Sequence, residues 1–335
     1  MEIGVYTFGD VTTDPVTGNT LTPAQRHAEI VAAAKLADEA GLEVFGIGEH
    51  HRLDIPLSSP AVVMGALATV TERIRLTSAV TILSTLDPVR VFQDFATVDV
   101  LSAGRAEIIA GRGAFTESFP LFGHDLADYD ALFAEKLPLL LAMNEAERLT
   151  WQGRFRPALR EAEISPRPVA KIPIWLGVGG TPTSAQRAGD MKLPLCLANI
   201  FQPPAHFKEQ IADYRRRHPA GRVAIATHTF VAKDSQTAHD EFHPRYSAYF
   251  QHHAPKPEFA AATPRDVFDK RASPTGPIFV GSPQQIIDKL MYEHELFGGV
   301  DRFLAQMDLG GMPFAQVARA IELLATEVVP VVRKL

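Results

Sequence analysis

A closed parallel barrel of the TIM type, (β/α)8, is the fold class this sequence predicts, and three observations predict it. Eight short apolar runs alternate with longer helical patterns from one end of the chain to the other. The runs are apolar throughout, as strands are when helices cover a parallel sheet on both faces. No break in composition divides the 335 residues. Eight units in unbroken series fit closure better than an open, doubly wound sheet, so one barrel domain over residues 1–335 is expected.

The units follow in order. "IGVYTF" (3–8) reads as a strand, and "TPAQRHAEIVAAAKLADEAG" (22–41) as a helix with Thr22 as N-cap, Pro23 in the first turn and Gly41 at its end. "LEVFGIG" (42–48) and "SPAVVMGALATVT" (59–71) form the second unit, and "IRLTSAVTIL" (74–83) and "DPVRVFQDFATVDVLSAG" (87–104) the third. "RAEIIAG" (105–111) precedes a helix near 128–142, and "IPIWLGVG" (172–179) leads into "TPTSAQRAGD" (181–190). "LPLCLANI" (193–200) precedes a helix from Pro204 to about His218, and "RVAIATHTFVA" (222–232) one near 235–251. "DRFLAQMDL" (301–309) and a last helix over 313–334 complete the set. Two segments fall outside the repeat: an excursion at 144–170, and a long Pro-rich connection at 252–277 of the kind that serves as a lid or binding loop.

A net charge of −6, spread along the chain, recommends neither nucleic acid nor an anionic membrane as partner. No run approaches the roughly 18 uncharged apolar residues of a membrane span. The start, "MEIGVYTFGD", lacks the features of a signal peptide. Cys196 is the single cysteine, set among apolar residues, which points to a buried inert thiol and a cytoplasmic protein.

In such a barrel the chemistry sits at the C-terminal ends of the strands. The polar groups there are Glu49, His50 and His51 after strand two, Ser78 to Thr81 in strand three, Arg112 after strand four and "GVGGTPTS" (177–184) after strand five. Asn199 after strand six, His228 within strand seven, and Gln306 and Asp308 in strand eight complete the ring. "EHH" (49–51) invites a metal reading, but neighbours on an extended chain point to opposite faces, and strand one brings no further histidine. The other readings are two packed or capping histidines, or one facing the mouth as acid, base or hydrogen-bond donor. In "GVGGTPTSAQRAG" (177–189) a strand ends in glycines and a helix begins with Thr181, Thr183 and Ser184. Bare backbone N–H groups at a helix start suit a phosphate, although glycine turns also simply end strands. Arg112 could supply the matching guanidinium, or form an ordinary surface ion pair.

In combination, "EHH" (49–51), "LTSAVTILSTLDPVR" (76–90), "LSAGRAEIIAGRG" (101–113), "IPIWLGVGGTPTSAQRAG" (172–189) and "VGSPQQIIDKL" (280–290) resemble the bacterial luciferase-like family of flavin-dependent monooxygenases and oxidoreductases, over nearly the whole chain. The resemblance implies FMN at the mouth of the barrel, with reduced flavin activating oxygen to oxidise a small organic substrate. His50 matches the family's catalytic histidine, with His51 beside it. Ser78, Ala79 and Val80 fall where a non-prolyl cis peptide, at Ala79–Val80, supports the flavin ring. Arg112 matches an arginine assigned to the phosphate. Gly179, Gly180, Thr181 and Ser184 fall in the phosphate-holding segment, and Asn199 where strand six lines the flavin. A homodimer through the helices after strands two and three, and a separate flavin reductase, are also implied.

This chain departs from luciferase itself in having Gly111 in place of a reactive cysteine and Phe115 in place of a tyrosine. Light emission and a long-chain aldehyde are therefore not expected. The distinguishing insertion is "FTESFPLFGHDLADYD" (115–130). A deazaflavin-using relative, a non-catalytic flavin-binding protein and a metal-dependent barrel hydrolase are the rival readings.

Overall fold

A computed structural model describes residues 1–253 and 261–335. Its strands are β1 (Glu2–Thr7), β2 (Val44–Ile47), β3 (Arg75–Ser78), β4 (Thr81–Ile82), β5 (Ala106–Gly111), β6 (Arg148–Trp151), β7 (Leu159–Glu163), β8 (Ile174–Val178), β9 (Leu195–Ala198), β10 (Val223–Val231), β11 (Phe279–Gly281) and β12 (Arg302–Gln306). Eight of them pair in parallel in the order β12, β1, β2, β3, β5, β8, β9, β10, and β10 pairs back onto β12 to close the barrel. The expected (β/α)8 architecture is therefore present, one strand to each anticipated unit. The excursion at 144–170 carries the antiparallel hairpin β6–β7.

The helices are α1 (Pro23–Glu39), α2 (Pro60–Ala68), α3 (Pro88–Leu101), α4 (Ser118–Leu121), α5 (Tyr129–Glu145), α6 (Pro182–Asp190), α7 (Lys208–Arg217), α8 (Ser235–His252), α9 (Arg265–Ala272), α10 (Pro283–Leu296), α11 (Phe314–Leu323) and α12 (Val329–Val332). Five of them, α1, α2, α3, α6 and α10, open on a proline whose missing N–H costs nothing in the first turn. Thr22 and Gln25 cap α1 reciprocally, as Ser282 and Gln285 cap α10.

Three expectations need correction. The run 74–83 is two strands, because the chain turns at a cis peptide between Ala79 and Val80. There the Ser78 hydroxyl accepts from Ile109 N (3.1 Å), stitching β3 to β5 where the ladder lapses. The last helix is broken by a π turn, Leu324–Val328, just ahead of Pro330, whose ring cannot continue a regular ladder. The 252–277 connection lies in part outside the described residues; its later portion forms α9 rather than loop. β11 and α10 then make a ninth strand–helix pair, with β11 added to the far end of β10 beyond the barrel.

Side chains inside the barrel stack in layers set by the register. At the N-terminal end, the fully buried Arg302 is held by Glu107 (2.5 and 3.1 Å) and Glu2 (2.8 Å), and its guanidinium lies 4.5 Å from the Trp175 ring centroid. Arg75 and Arg222 also bridge to Glu2. This plug closes one end. The middle layer is apolar: Val44, Ile109, Trp175, Cys196, Ala224 and Leu304. The layer above is built from small residues on five strands and the β3–β4 turn, Gly46, Ala79, Gly111, Gly177, Ala198 and Ala226, with only Tyr6 and Gln306 large. A barrel plugged below and floored with glycine and alanine above leaves its room at the C-terminal mouth.

Candidate active site

The floor of the mouth is shaped around Val80. A Cβ at Gly111 would stand 2.5 Å from Val80 Cγ2, and one at Gly177 3.0 Å from Val80 Cγ1. That contact is why a cysteine at position 111 would not fit unless Val80 moved. Ala198 is exposed between two buried neighbours, Leu197 and Asn199, so it faces the open mouth. At Gly179 and Gly180 an added Cβ would meet nothing within 4 Å, so these glycines form an open ledge above β8.

Beside the ledge the structure brings Arg112 and Ser184 together, from β5's end and from α6: Nη2 of Arg112 donates to Ser184 Oγ at 3.0 Å. The other guanidinium nitrogen pairs with the exposed Asp130 (2.5 Å), and the group lies 5.1 Å from the Tyr129 ring centroid. The start of α6 has no side-chain cap; Pro182 carries no N–H and Ser184 N donates to Thr181 O (3.1 Å), so Thr183 N is the first-turn donor left to face an anion. Arg187, one turn beyond Ser184, is near enough to lose proton affinity through burial and the charge of Arg112. Its i, i+3 spacing from Ser184 put it on the same helix face, a signal the sequence reading passed over. Asp130 and Tyr129, from the insertion, had no such signal.

His50 sits across the mouth between Phe8 (ring centroids 4.8 Å) and Phe115 (5.1 Å). Its Nδ1 is buried without a partner. Burial, reinforced by the charges of His253, Arg52 and His51, lowers its pKa to about 3, so the ring is neutral at pH 7. His51 points elsewhere, to Glu49 Oε1 (2.9 Å) and against Phe122 (4.9 Å). The second Glu49 oxygen accepts from Ile82 N (2.9 Å), so one buried carboxylate ties His51 to β4, just after Val80. The two histidines thus serve different surroundings and share no ligand position.

The remaining expected residues divide. Ser78 is buried with its hydroxyl committed to the Ile109 backbone. Asn199 is buried with both side-chain atoms unpartnered among the described residues. Gln306 and His228 are buried in the same condition. The end of α8 roofs this side with Tyr249 and Phe250, which the sequence reading did not single out. It is tied down where His252 Nε2 and His253 Nδ1 meet Asp54 Oδ2 (3.1 and 3.2 Å). Those three form the one group with metal-ligand spacing among the described residues. Arg52 already holds both Asp54 oxygens (2.9 and 2.7 Å), which makes the cluster an ion-pair clamp.

Comparison with known proteins gives the family and the fold. The family model described as luciferase-like monooxygenase matches residues 1–299. The oxygenase component of flavin-dependent trigonelline monooxygenase from Acinetobacter baylyi is 23% identical over 343 residues, covering 92% of this chain and 91% of the relative. N-acetyl-S-alkylcysteine monooxygenase from Bacillus subtilis is 32% identical over 232 residues, 66% of each chain. Monooxygenase RslO1 from Streptomyces bottropensis shares the fold at a TM-score of 0.84 and 21% identity, covering 98% of this chain and 99% of that one. The oxygenating constituent of 3,6-diketocamphane monooxygenase from Pseudomonas putida, solved with FMN, does so at 0.77 and 18% (99% and 98%). An F420-dependent secondary alcohol dehydrogenase does so at 0.75 and 17% (98% of each chain). The chain belongs to the luciferase-like monooxygenase family, flavin-dependent enzymes that put oxygen into their substrates.

Proposed function

We propose that the flavin is FMN, held by its phosphate at Arg112, Ser184, Thr181 and the Gly179–Gly180 ledge, with its ring over Ala79, Val80 and Ala198. The observation that carries this reading is the meeting of a guanidinium, a serine hydroxyl and an uncapped helix start beside glycines with open space above them. Phosphate chemistry asks for that set, and a ring floor asks for the glycine and alanine layer. Asn199, with a free amide, borders the same floor.

Reduced FMN, when bound, supplies the electrons that activate oxygen for a small organic substrate. The chain's own contribution is to bind, to dry and to move protons. Phe8, Phe115 and the roof of α8 exclude water from the mouth. His50, neutral and with Nδ1 sealed, is left Nε2 for a hydrogen bond to the reacting group and for passing a proton there without resting as an imidazolium. Replacing it tests the assignment: His50→Ala retains FMN binding but loses about 100-fold or more of turnover, the range for a positioned acid–base group. Turnover equal to the wild type removes His50 from the mechanism.

A separate reductase delivers the reduced flavin in this reading, which the trigonelline relative supports by being an oxygenase component. A homodimer through α2 and α3 accounts for Val62, Val100 and Leu101 standing exposed on those helices. No helix among the described residues is long and apolar enough to cross a membrane, and a cytoplasmic enzyme is the setting that fits a lone buried thiol.

A further inference from the structure

The proposed flavin seat and His50 leave one part of the mouth unused. His228 on β10 and Gln306 on β12 are direct partners in the parallel ladder, and Gln306 is in turn the partner of Tyr6 on β1. Register partners in a sheet present their side chains on the same face. Here that face is the barrel interior, since Tyr6, Ala226 and Leu304 pack there. Both His228 nitrogens and both Gln306 amide atoms are fully buried and without a partner among the described residues. Four unmatched polar atoms on neighbouring strands are costly in a closed core. They lie side by side at the level where the barrel opens.

We infer that His228 and Gln306 recognise the substrate, and that the substrate class is an uncharged ring compound carrying a carbonyl beside a hydrogen-bond donor. The inference rests on the flavin-site reading above and adds to it the half of the mouth that the flavin does not need. Neutral His228 offers one donor and one acceptor nitrogen, and Gln306 an amide NH2 and a carbonyl oxygen, so together they match a lactam, amide or enol-ketone edge. Neither is charged: burial, with the charge of Arg271, lowers the His228 pKa to about 3. On this side Arg26 pairs with Asp308 and Arg52 with Asp54, and the Arg271 guanidinium donates to Tyr246 Oη (2.9 Å) and lies against the Tyr246 and Phe201 rings, so the two unpartnered side chains themselves present neutral groups. The walls ask for a flat apolar body. Phe250 stacks on His228 (5.5 Å, 19°), Tyr249 stands edge-on to it (6.0 Å), and Phe201 continues the surface from Phe250 (5.3 Å).

The test uses three probes on one two-ring frame, each titrated into the FMN-loaded protein by calorimetry: 2-quinolone (neutral, N–H beside C=O), 2-naphthoate (anion) and 1-methylquinolinium (cation). The expected result is 2-quinolone binding at least about tenfold tighter than either ion. Gln306→Met and His228→Phe, which keep the volume and remove the polar atoms, each weaken 2-quinolone about tenfold, the worth of a buried hydrogen bond. Both variants keep wild-type FMN affinity, which also shows that they are folded. Equal or tighter binding of either ion, no binding of 2-quinolone, or unchanged affinity in both variants overturns the assignment. A wild-type protein that takes up no FMN defeats the flavin reading instead, and the preliminary FMN titration reveals that before any probe is added.

Discussion

Arg112→Ala separates a phosphate site from an ordinary surface ion pair. In the folded chain Arg112 donates to Ser184 at 3.0 Å and to Asp130 at 2.5 Å, with its side chain about a fifth exposed. A hydrogen bond to a charged partner contributes about 1.5–3 kcal/mol, and a guanidinium can place two on one phosphate. Against that stands the Asp130 contact, which must be shared or given up and is worth about 0–1 kcal/mol at such an exposed carboxylate. Partial exposure reduces the total further. The net is about 2–3 kcal/mol, or roughly 30- to 150-fold in FMN affinity. Folding stability changes little, because the fold loses only a pair to the exposed Asp130, one hydrogen bond to Ser184 and a contact with the Tyr129 ring at a partly exposed site. The assay is quenching of flavin fluorescence, run with FMN and in parallel with riboflavin, which has no phosphate. FMN affinity falls by the stated factor while riboflavin affinity moves less than about twofold. A loss equal for both ligands means the arginine only shapes the pocket, and no loss for either means the phosphate lies elsewhere; both refute the reasoning.

Two further outcomes follow from the same structure. Gly179→Leu adds a side chain where nothing lies within 4 Å, so the thermal midpoint stays at wild type while FMN affinity drops more than about tenfold; a loss of folding with no ligand effect contradicts the open ledge. Acid stability carries a sign set by the buried histidines. His50 and His228 titrate near 3 when folded, and His253 near 4, against an ordinary 6.5, so the unfolded chain binds the extra protons and stability falls as pH drops from about 6.5. Each adds up to about 1.4 kcal/mol per pH unit, partly opposed by Asp10, which burial pushes up to about 6. Denaturant titration of His228→Phe at pH 4 to 6.5 shows a slope smaller by about one proton, and an unchanged slope contradicts a buried neutral imidazole.

The architecture was legible because the barrel strands are mostly apolar runs and five helices open on a proline. Thr22 with Gln25 and the proline of α6 are local facts, readable without the fold. The site was legible in part. Arg112, Ser184 and the glycine ledge stand close to strand ends, where chain order alone predicts convergence. What stayed hidden depends on distant segments. Asp130 reaches Arg112 from an insertion, and Tyr249 and Phe250 roof the mouth from the far end of a helix. Ser78 carries a second role that its position does not announce: its hydroxyl joins two strands. The stabilising role of Glu49, one oxygen on His51 and one on Ile82 N, was equally invisible, because a carboxylate next to two histidines reads as chemistry before it reads as scaffolding.

The central claim is that the mouth of this barrel seats a phosphorylated flavin with the FMN tail. Equilibrium titration of the purified chain with FMN and, in parallel, with the deazaflavin F420 tests it most directly. The account predicts saturation at one FMN per chain, with FMN bound more tightly than F420 and more tightly than riboflavin. Tighter binding of F420, or no saturable binding of FMN in either oxidation state, contradicts it.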